Sequence, residues 1–212
     1  NIFNGHERER RIVKDVFTRV VGEGVEAILT PAELGIEGSR DYALKLKYKK
    51  GYYRLNQFDN PDNSKAHYKT TGPEIWRDTE GEVTHFVSSM GTTGTIMGVS
   101  DYLKEKNKNI TIVGVQPDSD SKIPGIRKWE GDYIPAIFNR KKVDEVYEVT
   151  EAEAKAMTQR LAEEEGIFAG MSSGGNIACA IQVAEKLEKG VVVAIVCDRG
   201  DRYLSSDLFD KN

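Results

Sequence analysis

This sequence has little cysteine, no long apolar run and no strong excess of one charge. Its 212 residues contain two cysteines, Cys179 and Cys197, which are too few for a disulfide framework, and we therefore expect a reducing, cytoplasmic setting. No apolar run approaches the roughly 20 residues that span a bilayer, so we expect no membrane partner. A net charge of −4 gives no electrostatic reason to expect nucleic acid as a partner.

Metal-binding patterns are also missing. No cluster of histidine, cysteine and carboxylate residues has metal-ligand spacing, so we predict no metal. The three histidines (His6, His67 and His85) are dispersed, and we interpret each as a surface or core residue rather than a catalyst. The length fits one large α/β domain or two small ones.

Apolar, strand-like runs alternate with amphipathic, helix-length stretches along most of the chain. Strands are predicted at residues 25–29, 52–55, 84–88, 110–115, 167–169 and 191–196. Helices are predicted around residues 39–50, 72–76 and 96–106, from the capping box at Thr150 and Glu153 to about Glu165, and from Ser172 onward. Residues 60–63 are predicted as a turn and residues 117–140 as a long loop. The alternation predicts an open, mostly parallel sheet with helices on both faces.

The string Gly91-Thr92-Thr93-Gly94-Thr95 lies between a predicted strand and a predicted helix. Such a loop offers backbone N–H groups, hydroxyls and a helix N-terminus to one point in space, which suits a phosphate. It lacks the Lys-Ser/Thr pair of a nucleotide P-loop and the spacing of a dinucleotide fingerprint, so we expect a phosphate other than that of ATP or NAD. The alternative is a plain strand-to-helix turn, because glycine and threonine are ordinary turn residues.

A ligand site is expected beyond the carboxyl ends of the strands, as in other open parallel sheets. Four segments are predicted to lie there: residues 57–58, 91–95, 170–175 and 197–202. Two of them are small-residue loops that open helices. Such a pair could hold a ligand at both ends, one loop taking a phosphate and the other a neutral ring edge.

Several of these segments match a known family. The strings are QFDNPDN (residues 57–63), TTGPEIW (70–76), SSMGTTGT (88–95) and EGIFAGMSSGG (165–175). Through them, residues 24–208 resemble the pyridoxal-phosphate-dependent cysteine synthases, the O-acetylserine sulfhydrylases of the tryptophan-synthase-β fold group (fold type II). Two more strings, IPGIRKW (123–129) and CDRGDRYLS (197–205), are similar to the B type of these synthases.

The resemblance implies an enzyme that uses pyridoxal 5'-phosphate in a β-replacement. The product would be L-cysteine or S-sulfocysteine, made from O-acetyl-L-serine and sulfide or thiosulfate by a cytoplasmic homodimer. The alternative hypotheses are an O-phosphoserine sulfhydrylase, a cystathionine β-synthase-like enzyme, and a non-catalytic binding or regulatory subunit of the same fold that lacks the Schiff-base lysine. The resemblance also implies that residues 1–50 are the remnant of a smaller N-terminal domain and residues 51–212 a larger cofactor-binding domain.

The resemblance assigns roles to single residues. The cofactor phosphate would be held by Gly91, Thr92, Thr93, Gly94 and Thr95. Ser172 would bond the pyridine nitrogen, and because a hydroxyl leaves that nitrogen largely unprotonated, the ring suits β-replacement better than transamination. Gln57 would help to hold the substrate carboxylate, and the entrance for the sulfur donor would be lined by Arg127, Lys128 and Cys197.

Each role has a structural alternative. These are a position near a helix N-cap for Ser172, a strand-end polar residue for Gln57, a small core hydrophobe for Cys197, and solvated charges in a mobile loop for Arg127 and Lys128. Cys179, beside two alanines on a predicted helix, is interpreted as a core residue. The family usually has Arg-Arg where this chain has Arg127-Lys128; lysine lacks the bidentate fork, which leaves the affinity for thiosulfate open.

The family's Schiff-base lysine, in a Ser-x-Lys-Asp-Arg setting, and its asparagine loop are not found. Lys14 lies in a Val-Lys-Asp string, but no Gly-Ser precedes it and no arginine follows Asp15. Residues 9–11 and 25–30 instead match a later helix and strand of the family. We therefore expect the lysine to lie in an upstream segment that the sequence does not contain; the alternative is a natural or cloned remnant.

Overall fold

The structure is a computed structural model that describes residues 2–4, 28–204 and 206–209. Contacts divide the chain into two compact units, Asn1–Asn56 and Gln57–Asn212. The interpretation of Lys14 and the match of residues 9–11 lie outside the described residues, as does His6. The assignment of residues 1–50 and 51–212 to two domains stays a prediction.

The first unit contains a small parallel ladder and one long helix. Strand β1 (Ile2–Asn4) pairs in parallel with β2 (Ile28–Thr30), which takes the place of the strand predicted at residues 25–29, although residues 25–27 are outside the described part. Helix α1 (Gly35–Lys50) confirms the helix predicted around residues 39–50 and begins four residues earlier. It ends at Gly51, whose left-handed φ of 66° is a conformation that glycine adopts without strain.

The second unit is built on a four-stranded parallel sheet. Its strands are β3 (His85–Ser89), β4 (Thr111–Pro117), β5 (Glu145–Val149) and β6 (Val192–Ala194). Their order across the sheet is β5-β4-β3-β6, and every neighbouring pair is parallel. The prediction of a parallel sheet is confirmed, and β3 lies in its interior, where the residues after its carboxyl end are flanked by two other strand ends.

Five helices accompany this sheet in the described part of the second unit. They are α2 (Pro61–Lys69), α3 (Thr71–Asp78), α4 (Gly94–Lys106), α5 (Glu151–Glu165) and α6 (Met171–Ala184). The predicted capping box is present: the Thr150 hydroxyl accepts from the backbone N–H of Glu153, whose carboxylate accepts from the backbone N–H of Thr150. Gly166, at a φ of 67°, ends α5 as predicted.

Apolar side chains cover both faces of the sheet. Successive strand residues point to opposite faces, so Phe86 and Ile112 pack with Ile96 of α4, whereas Val87 and Val113 pack in a separate cluster that includes α6. All five side chains are essentially inaccessible to water. The prediction of helices on both faces is therefore confirmed.

Two predicted strands are absent. Residues 52–55 form no ladder with a described strand, and Tyr53 and Leu55 are 88% and 74% exposed. Residues 167–169 are also irregular; Ala169 makes a single antiparallel bridge to Arg199. These corrections show that short apolar runs become strands only where a neighbouring strand is available.

Two further predictions need correction. The predicted turn at residues 60–63 is the beginning of α2, with Asn60 as N-cap, its side chain accepting from Asp62 N, and Pro61 in the first turn. The run at residues 191–196, expected to be a buried strand, is a three-residue strand whose side chains are only half-buried. It pairs with β3 alone in the described sheet, which explains its partial burial.

Candidate functional site

The loop that follows β3 carries a set of unpaired backbone donors. Among the residues that the structure describes, the N–H groups of Gly91, Thr92, Thr93 and Thr95 have no hydrogen-bond partner. Helix α4 begins at Gly94, so its positive dipole end lies in the same loop. Unpaired N–H groups at the start of a helix form an anion-binding arrangement, which suits the predicted phosphate better than a plain turn does.

Thr93 is strained and unsatisfied. Its φ of 68° lies in the left-handed region, which β-branched residues rarely adopt. The side chain is 2% exposed, and its Oγ1 is a buried atom without a hydrogen-bond partner in the described residues. A buried hydroxyl is normally paired, so this atom marks a place where a ligand acceptor would fit.

Asn63 of α2 holds the loop from one side. Its Nδ2 donates to the carbonyl oxygen of Gln57 at 2.6 Å and to the Thr92 hydroxyl at 3.0 Å. A Cβ on Gly94 would lie 1.9 Å from the Asn63 Oδ1, so only glycine allows this approach. The sequence alone does not single out Asn63, since the residues around it have the composition of a turn.

His67 supports the loop from the next turn of α2. Its Nε2 lies 3.2 Å from the Thr95 hydroxyl, and its Nδ1 lies 2.9 Å from that of Thr71. Burial lowers the pKa of His67 below its usual value of 6.5, which favours a neutral ring. Both ring nitrogens are thus engaged, in agreement with a structural histidine; the absence of a catalytic role stays a prediction.

Residues 123–129 connect the loop to the start of α6. The Arg127 N–H donates to the Met90 carbonyl at 2.9 Å, and the indole Nε1 of Trp129 donates to the Gly91 carbonyl at 2.7 Å. A Cβ on Gly91 would lie 2.7 Å from the Gly125 carbonyl oxygen, and one on Gly125 would lie 3.3 Å from the Ser172 side chain. The segment therefore touches both of the small-residue loops that were predicted to hold a ligand.

Ser172 is the second residue of α6. Gly170 is the N-cap of this helix, so Ser172 lies near the N-cap, as its structural alternative has it, but its side chain makes no capping hydrogen bond. Ser172 is 3% exposed, and none of the hydrogen bonds in the described part of the chain involves its hydroxyl. It is therefore available to a ligand that lies against the start of α6.

Gln57 and Phe58 approach the same loop without following a strand, because no strand forms at residues 52–55. Gln57 has an exposed side chain, and its backbone carbonyl is the acceptor for Asn63. Phe58 is buried and packs edge-on against Trp129 with ring centroids 5.6 Å apart. The role of Gln57 at the substrate carboxylate stays a prediction.

Arg127 and Lys128, the basic pair within residues 123–129, lie in two different environments. The Arg127 guanidinium donates to the carbonyl oxygens of Ile126 at 2.8 Å and of Ile123 at 3.4 Å. Lys128 Nζ lies 2.7 Å from the Glu148 carboxylate, and this hydrogen bond raises the pKa of Lys128 and lowers that of Glu148. Both side chains thus have partners within the protein, although Lys128 is exposed, and their role at the entrance of the sulfur donor stays a prediction.

Cys197 lies just beyond β6 and is exposed, so its alternative interpretation as a core hydrophobe is wrong. Its Sγ is 3.4 Å from the Asn176 Nδ2 and 3.6 Å from the Ser89 hydroxyl, and its N–H donates to the Ser173 hydroxyl at 2.9 Å. These contacts join the carboxyl end of β3 to the first turns of α6. Cys179, by contrast, is fully buried, and burial raises its pKa to about 12, which confirms a core residue.

The described part of the chain contains neither a membrane-spanning helix nor a metal-ligating cluster. None of its helices combines the length and the apolar character needed to cross a bilayer. No group of three or more histidine, cysteine or carboxylate side chains in it could hold a metal ion.

Comparison with known proteins identifies the family. A model of the family described as "Pyridoxal-phosphate dependent enzyme" matches residues 18–198. The chain belongs to this family. The sequence-based prediction of pyridoxal phosphate as cofactor is thereby confirmed.

Individual members of the family extend the comparison. Cysteine synthase B of Salmonella typhimurium is 55% identical over 186 residues, which are 88% of this chain and 61% of that protein. The crystal structure of cysteine synthase (OASS) from Entamoeba histolytica superposes with a TM-score of 0.84 at 36% identity, over 100% of this chain and 64% of that one. The O-acetylserine dependent cystathionine beta-synthase from Helicobacter pylori gives a TM-score of 0.85 at 29% identity, over 98% and 69%.

These comparisons confirm the predicted fold class and show how much of the relatives' length the chain covers. The parallel sheet with its helices is the fold of the cysteine synthase structures, the fold type II expected from the sequence. The chain spans about three fifths of the length of the curated relatives that it matches.

The described residues fit the family's cofactor. Pyridoxal phosphate offers a phosphate, for which the loop after β3 presents unpaired N–H groups and the buried, unpaired hydroxyl of Thr93. It also offers a ring nitrogen, for which the unpaired hydroxyl of Ser172 is a neutral partner. The backbone of Gly125 lies close to both Gly91 and Ser172, in agreement with one site for both groups of the cofactor.

Proposed function

We propose that the protein carrying this chain is a pyridoxal-phosphate-dependent transferase that makes L-cysteine from O-acetyl-L-serine and sulfide. The strongest support comes from two features of the structure. The loop after β3 has backbone N–H groups without partners, and the start of α6 carries the neutral hydroxyl of Ser172. The likeness to cysteine synthase B over most of this chain supports the same reaction. With hydrosulfide as donor, the Cβ–O bond breaks, acetate leaves with the bonding pair, and the sulfur forms the new Cβ–S bond.

When bound, pyridoxal phosphate supplies an electron-withdrawing ring that allows the substituent on Cβ to leave. In this proposal, the loop after β3 binds the cofactor phosphate. Gly91, Thr92, Thr93, Gly94 and Thr95 bind it through backbone N–H groups and hydroxyls at the positive end of α4. This placement explains why a strained threonine with an unpaired hydroxyl occurs in the loop.

Ser172 bonds the ring nitrogen in this proposal. A serine hydroxyl is neutral and does not protonate that nitrogen as a carboxylate would. The ring is then a weaker electron sink, which favours replacement at Cβ over transamination. A matched pair of variants tests this role, because Ser173 is its neighbour and instead accepts a hydrogen bond from the backbone of Cys197.

The substrates approach through Gln57, Arg127, Lys128 and Cys197. Gln57 helps to hold the carboxylate of O-acetylserine, and the other three line the entrance of the sulfur donor. Lys128 is already paired with Glu148 and lacks the bidentate geometry of arginine. We therefore propose sulfide as the better donor and thiosulfate, which would give S-sulfocysteine, as the weaker one.

A second donor is favoured by one comparison. The Helicobacter pylori structure is that of an O-acetylserine dependent cystathionine beta-synthase, of which this chain covers 69%. The same acceptor with a larger thiol, homocysteine, is thus the second candidate reaction. We also propose a cytoplasmic homodimer, supported by the two unpaired cysteines and the resemblance to the cysteine synthases.

The deciding experiment incubates the purified protein with pyridoxal phosphate and O-acetylserine, and adds sulfide, thiosulfate or homocysteine in parallel. Products are identified by mass spectrometry, and O-phosphoserine replaces the acceptor in a further set. We expect cysteine from O-acetylserine and sulfide, and a larger loss for S172A than for S173A. Cofactor binding without product from any pair would support the non-catalytic subunit and contradict the proposal.

Borohydride reduction of the protein with pyridoxal phosphate locates the lysine. Peptide mapping of the reduced adduct is expected to show no cofactor on Lys14. An adduct at that residue would contradict our interpretation of the N-terminal sequence.

A further inference from the structure

Trp129 contacts one peptide group of the loop that follows β3. Its Nε1 donates to the carbonyl oxygen of Gly91 at 2.7 Å, which is a short, well-formed hydrogen bond. The indole ring also makes an edge-on contact with buried Phe58, with ring centroids 5.6 Å apart. Neither the sequence motifs nor the family resemblance assigns this side chain a role.

Peptide geometry turns this contact into an effect on the loop. In a planar trans peptide, the carbonyl of one residue and the N–H of the next point in opposite directions. Trp129, by holding the Gly91 carbonyl, directs the N–H of Thr92 to the opposite side. The Arg127 N–H holds the Met90 carbonyl and thereby directs the N–H of Gly91 in the same manner.

Both of the N–H groups directed in this way are without a partner in the described residues. Glycine at position 91 leaves the backbone free to rotate, so the donors would lose their common direction without outside contacts. Gly91 cannot be replaced by a stiffer residue, because a Cβ would lie 2.7 Å from the Gly125 carbonyl oxygen. The indole therefore supplies a restraint that the loop's own sequence cannot.

We propose that Trp129 is a positioning residue for the cofactor phosphate: its indole N–H orients the Gly91–Thr92 peptide so that the loop's donors converge on the phosphate. This inference rests on the proposed function, since it presumes that the loop binds pyridoxal phosphate. It adds a specific cause of affinity for the phosphate group, as distinct from the ring.

The test compares ligands with and without the phosphate. W129F keeps an aromatic ring against Phe58 but removes the N–H. Equilibrium dialysis measures the dissociation constants of pyridoxal phosphate, pyridoxal and inorganic phosphate for each protein, without substrate. We expect W129F to bind pyridoxal phosphate and inorganic phosphate about fivefold to tenfold more weakly, as the loss of one orienting hydrogen bond implies, and pyridoxal equally well.

The chain provides a matched control in its other tryptophan. Trp76 of α3 packs against the core cluster on the α4 side of the sheet, away from the loop's hydrogen bonds. W76F should leave all three dissociation constants unchanged. If W129F weakens pyridoxal as much as pyridoxal phosphate, or if W76F has the same effect as W129F, the residue is merely structural and the proposal fails.

Folding of the variant is checked by its unfolding transition. Should W129F lose that transition, benzothienylalanine at position 129 replaces it, since sulfur there removes the N–H while keeping the ring shape. An unchanged preference for pyridoxal phosphate over pyridoxal would overturn the inference even in a protein that makes cysteine. Failure of the proposed function would show separately, as binding of both cofactor forms without product.

Discussion

Replacing Thr93 by glycine should stabilise the cofactor-free protein, although the residue lies in its proposed binding site. Thr93 has a φ of 68° and a buried hydroxyl with no partner in the described residues. Glycine adopts this conformation without a steric cost and has no hydroxyl to leave unsatisfied. T93G therefore removes two unfavourable contributions at once.

The size of the effect follows from four contributions. A left-handed conformation costs an ordinary residue about 1–2 kcal/mol, and an unsatisfied buried hydroxyl costs about 1–3 kcal/mol. Against these stand the extra backbone entropy that glycine loses, about 0.5–1 kcal/mol, and the lost burial of a methyl group, about 0.8 kcal/mol. The net expectation is a free energy of unfolding higher by about 2 kcal/mol, or a Tm about 6 °C higher for a chain of this size.

Urea and thermal unfolding, with and without saturating pyridoxal phosphate, measure this effect. With the cofactor the gain should shrink, because the Thr93 hydroxyl then has an acceptor that glycine cannot use. E80G is the control: Glu80 also has a positive φ, 52°, but it is exposed in a turn, so its gain should be equal in both conditions. Our reasoning is refuted if T93G destabilises the cofactor-free protein, or if its gain is the same with cofactor.

Three further outcomes are expected. N63D should weaken pyridoxal phosphate binding about tenfold or more in equilibrium dialysis, because it removes two N–H donors and adds a negative charge beside the loop; N60D, which keeps the helix cap, should not. Iodoacetamide should label Cys197 in the native protein and Cys179 only after unfolding, as peptide mass mapping can show; equal labelling rates would contradict the assigned burial. Burial lowers the pKa of His67, so below pH 6.5 the unfolded state binds a proton at this residue more readily than the folded state does. The free energy of unfolding therefore declines as the pH falls, and urea unfolding should show a shallower decline for H67Q.

The elements predicted correctly are those whose signal is local. The strands at β3 and β4 follow from apolar runs that are buried on both faces, and α5 follows from a capping box and a terminal glycine. The predictions at residues 52–55 and 167–169 failed, because a short apolar run has no strand geometry without a partner. Partnership is decided by the whole sheet, and the run itself carries no sign of it.

The candidate site divides in the same way. The loop after β3 could be found from its glycine and threonine residues at the end of a strand, since loop, dipole and donors all follow from one short string. Asn63 and Trp129 were missed because their contacts with the loop, to Thr92 and Gly91, join residues 29 and 38 positions apart. An asparagine and a tryptophan in loops or helix starts have many ordinary uses, so nothing in their own strings points to the loop.

The sequence by itself determined the alternation of strands and helices, the glycine- and threonine-rich loop after β3 and, through its long matching strings, the family with its cofactor. Backbone periodicity, capping and glycine placement act over a few residues, so they can be found in a single string. Only the tertiary structure decided which side chains hold that loop, that Thr93 is strained with an unpaired hydroxyl, and that Cys197 is exposed while Cys179 is buried. These properties depend on which distant residues pack together, and packing is a property of the whole fold.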